Sequence, residues 1–157
     1  MTTMTDPTRL AVRMAVRNPL AATVIGYWAL FWIMNAADKL LNRTDLGPFT
    51  WHGKDRHVQF ATYFADMGLP TNLVGPTLLF AFAWEIVVGI LFLVALARPG
   101  ALPAAFTASA ITFMGFSAFD VICGDRAELL EHGTYMALLL VGWMVVDRQL
   151  NRPATGP

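Results

Sequence analysis

Long apolar runs, separated by short polar segments, form the main pattern of this chain. The first uncharged run extends from Asn18 to Ala37 and is twenty residues long. Because an α-helix rises 1.5 Å per residue, about twenty apolar residues cross a hydrocarbon core roughly 30 Å thick. The pattern therefore predicts a first membrane-spanning helix over about residues 18–40.

A cleaved signal peptide is the competing interpretation of this run, because Arg9, Arg13 and Arg17 precede it. The run is long for the apolar core of a signal peptide, and residues 35–37 (Asn-Ala-Ala) match a cleavage site poorly. The sequence therefore favours a retained anchor.

Three more apolar runs predict spans at about residues 74–97, 101–121 and 128–147. The second span holds a single charged residue, Glu85, and ends at the helix-terminating sequence Arg98-Pro99-Gly100. The fourth is the weakest, because only the fourteen residues from Gly133 to Val146 are uncharged. The pattern predicts an all-α protein: a single membrane domain, residues 1–157, built as a bundle of four transmembrane helices.

Small residues recur at four-residue spacing along the third span. This spacing lets helix backbones approach closely in lipid. We therefore expect the third helix to be buried, either against the bundle or against a partner subunit. The two stripes are Ala101, Ala105 and Ser109, and Ala104, Ala108 and Thr112.

A polar loop, Asn42 to about Arg56, joins the first two spans and leads into a predicted amphipathic helix at about residues 55–67. The apolar residues of this helix share one face, and Gly68 and Pro70 end it. Two interpretations stay open: a helix lying in the membrane interface, and a cap packed over the mouth of the bundle. The residues of the apolar face are Phe60, Ala61, Phe64 and Met67.

Composition agrees with the pattern. The chain is 56% hydrophobic and only 14% charged, whereas soluble domains carry about a quarter charged residues. A globule of 157 residues cannot enclose that much apolar surface, so the bilayer is the expected partner. The 11 basic and 11 acidic residues cancel, which predicts no nucleic-acid partner. The single cysteine, Cys123, excludes an intrachain disulfide.

Loop charges favour cytoplasmic N- and C-termini. With that orientation six basic residues lie inside and five outside, and the arginine-rich flank of the first helix, which usually dominates, lies inside. The inner residues are Arg9, Arg13, Arg17, Arg98, Arg148 and Arg152, and the outer ones are Lys39, Arg43, Lys54, Arg56 and Arg126.

Alternate threading of the helices places most ionisable groups in the outer half of the membrane. Glu85 is the strongest functional candidate among them. It lies at a depth of roughly 12 Å, where an ionised carboxylate costs several kcal/mol unless it is paired, hydrated or protonated. Lys39 is the first expected partner and His132 the second. Glu85 is either a structural partner of Lys39 or a neutral, proton-handling group. The second is favoured, since Lys39 near its helix end could reach outward to water.

Asp38 and Asp120 are expected to be solvated carboxylates at helix ends, although both remain candidates for ligand or proton handling beside Glu85, Lys39 and His132. No metal site is predicted, because the histidines lack ligand spacing. Nucleotide-binding, hydrolase and metalloprotease motifs are missing, so catalytic residues stay unassigned.

Five short motifs resemble one known family. They are Asn35-Ala36-Ala37-Asp38-Lys39-Leu40, Phe64-Ala65-Asp66-Met67-Gly68-Leu69-Pro70, Glu85-Ile86-Val87-Val88-Gly89-Ile90-Leu91, the break at Arg98-Pro99-Gly100, and His132 opening the last helix. Across residues 20–147 the chain thereby resembles the DoxX-like family of small four-helix bacterial membrane proteins, which includes the MauE-type proteins. Its longer outer loop and its lack of paired cysteines depart from that family and argue against a thiol role.

The resemblance implies a bacterial inner-membrane protein linked to redox chemistry, with Lys39, Glu85 and His132 as the positions carried over. Three hypotheses follow. The protein binds a quinone or similar small molecule in an outer-half pocket, with Glu85 and His132 handling protons. Alternatively, it is an accessory subunit of a larger membrane complex or a homo-oligomer. The third hypothesis is a small transporter or proton path through Glu85.

Overall fold

The computed structural model describes residues 7–151, and nearly all of that range is helical. The helices are α1 (Pro7–Arg17), α2 (Pro19–Leu41), α3 (Arg56–Asp66), α4 (Val74–Ala97), α5 (Leu102–Cys123) and α6 (Arg126–Leu150). Short 3-10 turns, Thr71–Leu73 and Pro99–Ala101, precede α4 and α5.

Four of these helices are long and apolar enough to cross a membrane. They cover Pro19–Leu41, Thr71–Ala97, Pro99–Cys123 and Arg126–Leu150. Large apolar side chains on them are exposed, such as Phe80 at 70% and Leu130 at 73%, a surface that suits lipid rather than water. The predicted fold class, an all-helical membrane protein with four spans and a short helix between the first two, is confirmed.

The described chain divides into two compact units. Unit 1 consists of residues 7–29 and 90–151, and unit 2 of residues 30–89. That the whole chain forms one membrane domain stays a prediction.

Aromatic contacts join segments of all four long helices within unit 1. Phe106 of α5 packs edge to face on Phe92 of α4 at 5.1 Å and on Trp143 of α6 at 5.2 Å between ring centroids. Phe113 of α5 meets Trp28 of α2 at 6.0 Å. Edge-to-face aromatic pairs of this kind stabilise a fold by more than the burial of their surface alone would. Helix α5 therefore lies at the centre of unit 1.

Only part of the predicted small-residue packing on α5 is observed. Ala105 and Ser109 are fully buried, and Thr112 is 6% exposed. Ala104 is exposed and Ala108 half-buried. Consecutive helical residues point about 100° apart, so the neighbours Ala104 and Ala105 face different surroundings. The expectation of burial within the bundle is confirmed for Ala105. For the exposed Ala104, burial against a partner subunit stays a prediction.

The loop of unit 2 folds as a small hairpin rather than an irregular segment. Arg43 N donates to Trp51 O at 2.8 Å, and Trp51 N donates to Thr44 O at 2.9 Å. At the tip, Gly47 N donates to the Asp45 carboxylate at 2.8 Å and takes a φ of +86°, a conformation that glycine adopts without strain. The hairpin returns the chain towards the end of α2.

Helix α3 has a defined start and stop. The Asp55 side chain caps it by accepting from Val58 N, and Leu69 N donates to Phe64 O at 2.7 Å beyond Gly68, which has a φ of +68°, as in a Schellman ending. Phe64 is only 5% exposed, while Phe60 is half-buried. The apolar face predicted for this helix is thus covered by protein.

Candidate functional site

Two clusters of polar side chains lie within the spanning helices, one in each unit. In unit 2, Lys39 Nζ lies 2.6 Å from Glu85 Oε2, and the two side chains are 9% and 2% exposed. Lys39 also donates to Asn35 O at 3.3 Å, one turn back on α2, where a cation offsets the negative end of the helix dipole. The predicted pairing of Glu85 with Lys39 is confirmed.

The expectation that Lys39 reaches outward to water is wrong. Its side chain is 9% exposed and joins the last turn of α2 to the middle of α4. A lone buried carboxylate is more costly than one paired with a hydrogen-bonding cation. The ion pair therefore outweighs the hydration that Lys39 would gain at the surface.

Asp38 is half-buried at the end of α2 and hydrogen-bonded to the loop, rather than fully solvated as expected. The Trp51 indole Nε1 donates to its Oδ1 at 2.7 Å, and Lys54 N donates to its Oδ2 at 3.2 Å. A Cβ at Gly53 would overlap this carboxylate, so only glycine allows the approach. Asp38 thus anchors the hairpin to the end of α2, a contact that was not predicted from the sequence.

The second cluster lies in unit 1 around His132. The Nδ1 atom of His132 is 2.6 Å from Asp120 Oδ2, and Asp120 is 3% exposed. The expectation of a solvated Asp120 is therefore wrong as well. The pair lies across the turn between α5 and α6, where Gly124 has a φ of +74° and Asp125 caps α6 through Ala127 N and Glu128 N.

Glu128 belongs to the same cluster, although sequence reasoning did not single it out. Its Oε2 lies 4.0 Å from His132 Nε2, beyond hydrogen-bond distance, and the residue is 4% exposed. The four-residue spacing of Glu128 and His132 could have indicated this contact, because residues four apart on a helix share a face. One imidazole thus has a buried carboxylate beyond each of its two nitrogens.

Aromatic rings surround this imidazole. The His132 ring centroid is 5.1 Å from Phe116, 6.4 Å from Phe113 and 6.5 Å from Tyr135. The carboxylate of Asp120 accepts from Nδ1 when that nitrogen carries the proton, which leaves Nε2 as the atom that gains or loses one. The arrangement can hold and exchange a proton beside an apolar wall.

An apolar cavity of about 210 Å³ lies further along the same α5–α6 seam. Trp143, which lines it, is eleven residues from His132 on α6, or about 16 Å along the helix. The seam thus combines a polar end with an apolar recess. Residues lining the recess include Phe106, Ala110, Leu139 and Trp143.

Among residues 7–151, no group of three or more His, Cys, Asp and Glu side chains is arranged to hold a metal ion. Comparison with protein-family models, with curated proteins and with solved structures finds no match to this chain.

Proposed function

We propose that this chain is a DoxX-like bacterial inner-membrane protein that binds a quinone, or a similar small molecule, at the α5–α6 seam. The observation that carries the proposal is the pair of His132 and Asp120, joined at 2.6 Å beneath aromatic rings of the same two helices. Quinone headgroups are flat, apolar on their faces and hydrogen-bond acceptors at their carbonyl oxygens. Aromatic walls with a few placed polar groups suit such ligands.

His132 is the proton-handling residue of the proposed site. Its Nε2, when protonated, donates to a quinone carbonyl oxygen, while Asp120 orients the ring and stabilises the charged form. Full reduction of a quinone to a quinol takes up two electrons and two protons, and the electrons are supplied by a redox partner in the membrane. The apolar recess beyond Phe106 accommodates part of the tail.

Titration of the purified full chain with ubiquinone-1 by isothermal calorimetry tests the proposal. We expect saturable binding, and a loss of about 10- to 100-fold in affinity for His132→Gln, the effect of removing a hydrogen bond to a charged group. His57→Gln, at an exposed histidine of α3, is the matched control and should bind normally. Wild-type protein that binds neither ubiquinone-1 nor menadione would overturn the proposal, as would full binding by folded His132→Gln.

An accessory role is the second candidate, favoured by the exposed side of α5. Gly115 is exposed with open space beside it, and Ala104 and Ala118 are exposed too. Small residues on a lipid-facing helix permit close packing of another helix. Gentle purification tests this role: a membrane subunit that copurifies in stoichiometric amount, and that Gly115→Leu releases, would support it. Monodisperse protein without partners would contradict it.

The proposed orientation has both termini in the cytoplasm, on the basis of the arginines before the first span and after the last. Thr50, at the base of the hairpin, is exposed. With Cys123 replaced by Ser, Thr50→Cys in intact cells should react with an impermeant maleimide. Asn151→Cys, at the end of α6, is the matched control and should be protected. The opposite labelling pattern would reverse the orientation.

A further inference from the structure

Helix α1, which was not predicted from the sequence, carries a row of arginines. Arg9, Arg13 and Arg17 are spaced by four residues on a helix that runs from Pro7 to Arg17, and they share one face. The helix contains no acidic residue. All three arginines are exposed, so α1 presents a strip of positive charge.

The apolar residues of α1 divide between two sides of that strip. On one side Met14 is 7% exposed and packs against the protein. On the other side Val12 and Val16 are 57% and 76% exposed. At 100° per residue, these two valines lie next to the arginines on the side away from Met14. The protein therefore leaves an apolar edge uncovered beside the positive strip.

The connection to α2 places the end of α1 directly beside the start of the first candidate span. A single residue, Asn18, separates α1 from the first span, Pro19–Leu41. Asn18 N donates to Met14 O at 2.8 Å, and Asn18 O accepts from Ala22 N at 3.0 Å, so one residue closes the first helix and opens the second. Pro19 supplies no N–H and disfavours helical geometry at the residue before it. Arg17 and Arg13 consequently lie within about one to two helical turns of the hydrocarbon boundary.

We propose that α1 binds the phosphate groups of acidic phospholipids in the leaflet that its end of α2 reaches. Arginine guanidinium groups bind phosphate with paired hydrogen bonds, and basic residues near a membrane surface favour anionic lipid. Val12 and Val16 enter the boundary between headgroups and acyl chains, as in interfacial helices. This inference is independent of the proposed quinone site.

Short-chain lipids added to the full chain in a neutral detergent test the proposal by calorimetry. Diheptanoylphosphatidylglycerol should bind at least tenfold more tightly than diheptanoylphosphatidylcholine. Arg13→Gln with Arg17→Gln should weaken binding of the acidic lipid about 25-fold, about fivefold for each arginine. Arg148→Gln, at an exposed arginine in the last turn of α6, is the matched control and should change little.

The variant with Arg13→Lys and Arg17→Lys keeps both charges and is the control for misfolding. It should keep most of the preference for acidic lipid. Raising the salt concentration should reduce that preference, because screening weakens contacts between exposed charges. Equal binding of the two lipids, an undiminished preference in the folded glutamine variant, or an equal loss in Arg148→Gln would overturn the proposal. So would inorganic phosphate that competes at the same concentration as the acidic lipid, because the site would then bind free phosphate.

Discussion

The Lys39–Glu85 pair and the His132–Asp120 pair, both largely buried, differ in charge balance and in exposure. Lys39 and Glu85 form one cation with one anion at 2.6 Å, with side chains 9% and 2% exposed. His132 instead lies between two carboxylates, Asp120 at 2.6 Å and Glu128 at 4.0 Å, with its side chain 15% exposed. The first pair joins one cation to one anion, while the second places two carboxylates around one imidazole.

This difference suggests different roles. A closed, balanced pair loses stability when one partner is removed, because the other charge is left buried. A histidine whose two ring nitrogens face carboxylates, among aromatic rings, is placed to hold or pass a proton. We therefore expect the Lys39–Glu85 pair to stabilise the packing of α2 against α4. We expect His132 to be the proton-handling residue of the proposed quinone site. The hypothesis that Glu85 handles protons stays a prediction, and the first variant below decides it.

Glu85→Gln should produce the largest effect, a loss of about 3–5 kcal/mol in the free energy of unfolding, because it leaves Lys39 without its anion. Adding Lys39→Met should restore much of that loss. Thermal and denaturant unfolding in one detergent measure both. Glu131→Gln, at an exposed position of α6, is the control and should be near neutral.

The alternative outcome is equally clear. If Glu85→Gln unfolds like the wild type but loses quinone binding, then Glu85 is a neutral, proton-handling residue and the comparison between the two clusters fails. In that case Glu85→Gln would lose no stability, and adding Lys39→Met would not raise the free energy of unfolding.

Ala105→Leu should have the next largest effect, a destabilisation of about 1–3 kcal/mol from overpacking. Ala105 is fully buried on α5, the helix that carries Asp120 to His132, so quinone binding should weaken as well. Ala104→Leu adds the same bulk at an exposed position and should stay within about 0.5 kcal/mol. Equal destabilisation by the two variants would contradict the observed rotation of α5.

Trp51→Phe should have the smallest effect, about 1 kcal/mol, because it removes the indole N–H that donates to Asp38 while keeping most of the ring. The loss should shrink when Asp38→Ala is already present, since that change removes the acceptor of the bond that the two residues share. Strictly additive losses in this double-mutant cycle would show that the hairpin is held by other contacts. Quinone binding should be unchanged, because Asp38 and Trp51 belong to unit 2.

The sequence by itself was enough to determine the four spanning helices. Hydrocarbon offers no water to backbone N–H and C=O groups, so long apolar runs must form helices whatever their neighbours are. Helix α3 was also predictable, because its stop at Gly68 and its apolar face are local features. The pairing of Lys39 with Glu85 was predictable from the free-energy cost of an unpaired carboxylate in the membrane. Such a carboxylate needs a partner, and few cations lie near the spans.

Only the tertiary structure decided which side each helix presents and what each polar end contacts. Ala104 and Ala105 read alike in the sequence, yet a rotation of 100° exposes one and buries the other. Asp120 meets His132 because the turn at Gly124 brings α5 and α6 together, and Asp38 meets Trp51 because the hairpin folds back. Such contacts depend on how elements distant along the chain are oriented, and local pattern carries no information about that orientation.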